Sequence, residues 1–122
     1  VLAGTRNAKP LGKDDRVLQH TAALWAASAL GQVDIALAFG AALCIADGVD
    51  EPTVLDTGAT VLGVVPSSLH ALRPGVAANT VKCIFTWGEA LPAGLARQWR
   101  EHGITVLELL ISTEYWLSLV AD

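Results

Sequence analysis

The stretch from Lys82 to Ser118, KCIFTWGEALPAGLARQWREHGITVLELLISTEYWLS, constrains the fold more than any other part of the chain. An apolar run, Cys83-Ile84-Phe85, leads through Thr86 and Trp87 into the turn Gly88-Glu89-Ala90. An amphipathic segment follows from Pro92 to His102, and Gly103 is placed to be its C′ residue. A second apolar run, Ile104 to Leu110, delivers Ser112-Thr113-Glu114 at its far end. The order is strand, turn, helix, strand, turn. Strands joined through a helix pair in parallel. Both turns then open at the carboxyl ends of neighbouring strands, where open α/β sheets bind ligands.

The rest of the chain repeats this alternation. Val1 to Asp15 is polar, with Gly4, Pro10 and Gly12, and reads as a helix tail or loop followed by a turn. Strands are expected at Arg16–Thr21, Ala41–Ala46, Thr60–Val65, Val81–Thr86 and Thr105–Leu110, with a short extra one over Tyr115–Val120. Helices are expected over Ala27–Phe39, from Glu51 with Pro52 in its first turn, from Pro66 to before Pro74-Gly75, and over Pro92–His102. Strands alternating with helices argue for an α/β sandwich of three layers, with a parallel sheet of about five strands and helices on both faces. The 122 residues suffice for one such domain, 1–122, with no internal repeat or linker.

Composition narrows the function classes. The chain is 52% hydrophobic and 16% charged, with mean hydropathy +0.47. Either the strands are buried on both faces, as in parallel sheets, or one face meets a partner. The net charge is −4 and there is no basic patch, which argues against nucleic acid. Apolar runs break well short of the roughly 20 residues a membrane helix needs, and the amino terminus has no apolar signal core. Cys44 and Cys83 sit inside apolar runs and read as buried free thiols on strands, which suits a reducing cytoplasm. His20, His70 and His102 show no metal spacing with them. His20, at the end of the first strand, is near the expected ligand end; His102 reads as an exposed cap at a helix terminus. Ser67-Ser68 lack the G-x-S-x-G frame of a hydrolase elbow.

The segment GEALPAGLARQWREHGI resembles the part of carboxylate-adenylating enzymes that lies against the nucleotide, and in particular the adenylation domains of nonribosomal peptide synthetases. ISTEYW stands where that family carries an aromatic-Gly-Pro-Thr-Glu motif, and DDRVLQHTA and FGAALCIADG upstream are similar to it as well. The resemblance covers nearly the whole chain. It implies a flavodoxin-like subdomain of a larger adenylation domain, whose reaction joins an acid to ATP as an acyl-adenylate and then passes it to a carrier-protein thiol. The cofactors it implies are ATP and Mg²⁺. The partners are a small carboxylic acid, the rest of the adenylation domain and a carrier domain.

The resemblance also assigns residues. Thr113 would contact phosphate and Glu114 would bind Mg²⁺; read from the residues alone, the pair is a polar turn after a strand. Gly88, Glu89 and Ala90 would lie beside the adenine, with Leu110 in the place of the family's stacking aromatic and Ile111-Ser112 in the place of its Gly-Pro. Leu110 offers an apolar contact but no π face. Pocket positions carry over as Ala26, Ala27, Ser28, Leu30 or Gly31 after the first strand, Gly63 on the third, Phe85 and Trp87 on the fourth, Leu109 on the fifth, and Leu117 and Ser118 beyond it. Phe85, Trp87 and Leu109 read equally as core residues. Amino-acid-activating members have a Phe-Asp-Ala-Ser-like tetrad where this chain has Trp25-Ala26-Ala27-Ser28. The carboxylate that pairs with an α-ammonium falls on Ala26 or on Ala27, depending on the alignment, and is absent either way. A buried ammonium without a counter-charge is costly, so the implied acid is an α-keto, hydroxy, aryl or branched aliphatic one. The family's Gly-rich phosphate loop, ribose-binding Asp motif and lid lysine are not in these 122 residues, so the chain alone is expected to be inert. The alternative is a non-catalytic scaffold or binding module, to which Leu110-Ile111-Ser112 points and the Gly88-Glu89-Ala90 turn does not.

Overall fold

The computed structural model describes residues 10–112, 114 and 116–121, with backbone alone for 116–119. The expected loop before Pro10 lies outside the described residues. Six strands form one sheet in the order β2-β1-β3-β4-β5-β6. They are β1 (Arg16–Gln19), β2 (Ala42–Ile45), β3 (Val61–Val64), β4 (Cys83–Thr86), β5 (Thr105–Ser112) and β6 (Trp116–Ala121). The first five are parallel, and β6 returns antiparallel along β5, with a register shift at Leu110/Ile111. The sheet therefore has one strand more than the five expected parallel ones. The short strand suggested near Tyr115 is a full edge strand, because an antiparallel return needs only a turn.

The helices are α1 (Ala26–Ser28), a π-helical stretch Ala29–Asp34, α2 (Ile35–Phe39), α3 (Glu51–Thr57), a 3₁₀ helix Pro66–Ala71, α4 (Pro74–Ala77) and α5 (Ala93–Arg100). Each start and stop has a local cause. Asp50 caps α3 by accepting from the Thr53 N–H at 2.8 Å, and Pro52 fills its first turn. Pro74 likewise opens α4, a helix that the sequence reading, which ended the preceding helix before Pro74-Gly75, does not include. Gly103 follows α5 with φ +77°, and His102 donates from Nδ1 to the Gln98 carbonyl at 3.0 Å, as a helix-end cap should.

Alternation along the strands divides the core between the two faces. Leu62, Val64, Ile84 and Val106 pack with Val54, Leu69, Trp99 and Ile104 under α3, α4 and α5. Val17, Val61, Cys83, Phe85, Trp87, Leu107 and Leu109 pack on the opposite face, against Ala27, Ile35 and Ala36 of the first crossover. Burial on both faces accounts for the apolar composition. Leu24, Leu37 and Ile45 nonetheless stand exposed, Ile45 on edge strand β2. Cys83 is buried as expected; Cys44, on that same edge strand, is only half-buried, and the two form no disulfide. No helix among the described residues is long and apolar enough to cross a membrane.

The chain leaves β1 to one side to make β2, then returns past β1 to make β3. Right-handed crossovers in opposite directions put their helices on opposite faces. Between β1 and β3 the strand order reverses, and a crevice opens at the carboxyl ends.

Candidate functional site

At that reversal β1 and β3 stop pairing after Leu18↔Leu62. The Gly63 carbonyl would be left bare, and side chains satisfy it. Gln32 donates to it from Nε2 at 2.8 Å and His20 from Nε2 at 3.0 Å. Gln32 is fully buried, and its Oε1 accepts from Ser28 at 2.9 Å and from Thr21 at 3.2 Å. Ser28 was expected to face the acid. It is instead fully buried, with its one hydroxyl proton committed to this network. Gln32 was missed, although Ser28 and Gln32 are a polar pair four apart on a helix whose one other polar side chain is Asp34, which is a signal for a shared buried network.

Gly31 and Gly63, two of the carried-over pocket positions, leave no gap beside Trp87. A Cβ built on Gly63 would lie 2.5 Å from Cη2 of Trp87 and 2.6 Å from the Gly31 carbonyl, and one on Gly31 would lie 2.7 Å from the same Cη2. The π-helical turn carries the Gly31 backbone close to β3, and the indole edge of Trp87 fills what the two glycines leave open. Trp87 is 2% exposed, and its Nε1 is buried with no hydrogen-bond partner among the described residues. Phe85, one row below, is sealed in the core beside Gly63 and Leu107.

Among the described residues, two clefts open above this floor. The smaller, about 150 Å³, is lined by Trp25, Ala26, Ala27, Trp87, Gly88, Ile111 and Ser112. The larger, about 470 Å³, is lined by Gly88, Glu89, Ala90, Glu108, Leu109, Leu110, Ile111 and Ala121. They share Gly88 and Ile111 as a common wall. Gly88 turns with φ +80°, a conformation that carries β4 sharply out between them. Leu110 is half-exposed at the bulge, as a strand residue re-aimed by a register shift can be. The structure thus brings Ala26, Ala27, Trp87, Gly88 and Ser112 to one cleft, and Gly88, Glu89, Ala90, Leu109 and Leu110 to the other. Leu30 is half-buried on the π-helical stretch and lines neither. Thr113 and the side chains of Leu117 and Ser118 lie outside the described residues.

Two carboxylates line the larger cleft, Glu89 and Glu108, and a third, Glu114, lies two residues past the end of β5. Glu89 accepts from the Ser67 N–H at 3.0 Å and its hydroxyl at 2.8 Å, and so holds the start of the 3₁₀ helix. Glu108 accepts from the Leu91 N–H at 3.0 Å and holds the approach to α5. Glu114 is exposed; its own N–H and the Ser112 hydroxyl hold its carboxyl below the ordinary range. An ionised, accessible carboxylate is a kind of ligand that Mg²⁺ takes, and Glu114 has that chemistry, though it lines neither cleft.

No protein-family model and no curated protein sequence matches the chain. Solved structures do. CmiS6 is similar at 25% identity and a TM-score of 0.76, over 92% of this chain and 30% of that one. Apo MatB from Rhodopseudomonas palustris is similar at 19% and 0.77, over 92% and 24%. FmoA3, a nonribosomal peptide synthetase, is similar at 22% and 0.76, over 91% and 14%. The chain spans less than a third of each of these proteins. It has the flavodoxin-like α/β fold of a subdomain of the adenylate-forming ligases.

Proposed function

We propose that the chain is the acid-binding subdomain of an ATP-dependent carboxylate-adenylating enzyme, of the nonribosomal peptide synthetase kind. The observation that carries this reading is the pair of clefts meeting at Gly88 and Ile111. A carboxylate in the smaller and a nucleoside phosphate in the larger would meet at that wall. There an acid oxygen attacks the α-phosphorus, the bond to pyrophosphate breaks, and the acyl-adenylate forms. Within the intact protein, Glu114 and Thr113 hold the metal and the phosphates, Gly88-Glu89-Ala90 and Leu110 lie along the base, and a carrier thiol accepts the acyl group. Mg²⁺ at Glu114 would neutralise charge on the phosphate oxygens. The size of the larger cleft suits a nucleotide.

The acid is one without an α-ammonium. Ala26 and Ala27 stand on the smaller cleft, and no carboxylate lines it among the described residues. Asp34, two helical turns on, is exposed. The test is acid-dependent pyrophosphate exchange by the intact protein, with matched amino, α-keto and hydroxy acids and Glu114→Ala as control. The keto or hydroxy member of each pair is expected to win, and Glu114→Ala to lose most of the exchange. A preference of about tenfold or more for the amino acids would overturn it, since a desolvated charge pair is worth at least that much.

A further inference from the structure

We infer that the sheet goes on past β2: a further strand of the same, longer polypeptide pairs along its free edge. This rests on the adenylation reading only in placing the chain within a larger protein. β2 has the make-up of an interior strand in the position of an edge one. Ala42-Leu43-Cys44-Ile45 is an unbroken apolar run, as in parallel strands covered on both faces. The interior strands β3 and β4 have that cover, with all four residues of each buried. β2 does not. Leu43 and Cys44, which pack toward opposite faces of the sheet, are half-buried, and Ile45 is 76% exposed.

Edges that meet water are commonly blunted by charge, proline or a bulge. β2 has none of these. No charged residue and no proline stands between Asp34 and Asp47, and the register on β1 is unbroken. The Ala42 and Ala46 N–H groups donate to the carbonyls of Asp15 and Gln19 at 3.0 and 2.9 Å. In a parallel ladder alternate residues turn the other way, so Leu43 and Ile45 direct their N–H and C=O groups outward. The size of the edge names the occupant. Four residues span about 13 Å. Pairing over that length covers far less than the ~1,200 Å² of a stable interface between separate molecules, so a second copy or a free partner would not stay. A tethered strand needs no such area, because the tether holds it at an effective concentration of about the millimolar range. The similar structures have length for it, since the chain spans 30% of CmiS6 and 24% of MatB. The strand is apolar on both faces, to match Leu43 and Cys44, and it brings Cys44 to the burial that Cys83 already has.

The experiment is amide hydrogen exchange at single-residue resolution on the intact protein, with maleimide labelling of the thiols. Leu43 and Ile45 are expected to exchange about a hundredfold or more slower than in an unstructured chain, on a par with Ala42 and Cys44. Cys44 is expected to label no faster than Cys83. Ile45→Pro removes one outward N–H and spares the bonds to β1, and it is expected to speed exchange at Leu43 by about tenfold or more. Ile45→Thr keeps that N–H and is expected to leave Leu43 as it was. Fast exchange at Leu43 and Ile45 beside a protected Ala42 shows a bare edge and overturns the inference, as does an unmoved Leu43 in folded Ile45→Pro. Protection that grows with protein concentration as the mass doubles overturns it too, since the occupant is then a second copy. None of these readouts needs turnover. A protected β2 in a protein without acid-dependent pyrophosphate exchange overturns the adenylation reading and leaves the inference standing.

Discussion

Gln32 is the residue on which the crevice between β1 and β3 depends. Its buried amide faces the Gly63 carbonyl on one side and two hydroxyls on the other. Gln32→Leu keeps the volume but leaves that carbonyl with His20 alone and takes an acceptor from Ser28 and Thr21. A buried polar group left unpaired costs about 1–3 kcal/mol, and a loss of that size is expected in urea unfolding of the variant. Equal midpoints would mean the network does not stabilise the fold. The sequence showed part of this. Ala26, Ala27, Trp87 and the Gly88 turn could be placed at the ligand end by the order of strands and turns. The use of Ser28, and the filling of Gly31 and Gly63 by Trp87, could not, because they depend on how far the helix backbone leans onto β3. Spacing along one element carries no record of that distance.

At the scale of elements, the opposite end of the sheet is tied by Asp15. Its carboxylate accepts from the Gly12 N–H at 2.8 Å, from Thr60 at 2.7 Å and from Lys82 Nζ at 2.9 Å, which joins the amino ends of β1, β3 and β4. Lys82 also donates to the Pro10 carbonyl at 3.0 Å. Burial pushes the Asp15 carboxyl up, but the bonds from Lys82, Thr60 and Gly12 together outweigh it and hold it below its usual value. A depressed carboxyl stabilises the fold above its unfolded pKa of about 3.9, and that stabilisation is lost as pH falls through the lower folded value. Asp15→Asn is therefore expected to cost about 1–3 kcal/mol at neutral pH. The gap between the two proteins should close as pH drops below about 3.9, by thermal unfolding followed at each pH. A gap that stays constant to the acid limit would show that Asp15 is not ionised in the folded state. This latch joins residues 45 and more apart in sequence, and nothing local announces it. The strands, by contrast, were readable within a residue or two, since apolar runs between turn residues have few alternatives. The helix after β1 was readable as a helix but not as one interrupted by a π-helical stretch, and α4 was hidden behind Pro74-Gly75, which reads as a break though Pro can also begin a helix.

At the scale of the whole molecule, the larger cleft, proposed above to take the nucleotide, offers little with which to grip one. Among the described residues its lining includes two carboxylates, Glu89 and Glu108, and no lysine or arginine. Both carboxylates are spoken for by backbone N–H groups, so they fix the loops around the cleft and do not leave it. A triphosphate would bring several further negative charges to a chain whose net charge is already −4. At about 4 Å, two like charges near a protein surface repel by a few kcal/mol, and one Mg²⁺ at Glu114 cannot offset several such terms. Phosphoryl chemistry also needs donors fixed in advance around the transferring group. Those must come from outside these 122 residues, as the share of the similar structures that the chain covers suggests. The 122-residue chain is therefore expected to fold, by circular dichroism and cooperative urea unfolding, and yet to bind ATP more weakly than about 1 mM and to catalyse no acid-dependent pyrophosphate exchange. The protein that contains it in full is expected to do both. Exchange by the short chain above that of its Glu114→Ala variant would show that the two clefts alone hold enough of the phosphate grip. The cations would then have to lie among residues such as Arg97 and Arg100 of α5, which line neither cleft.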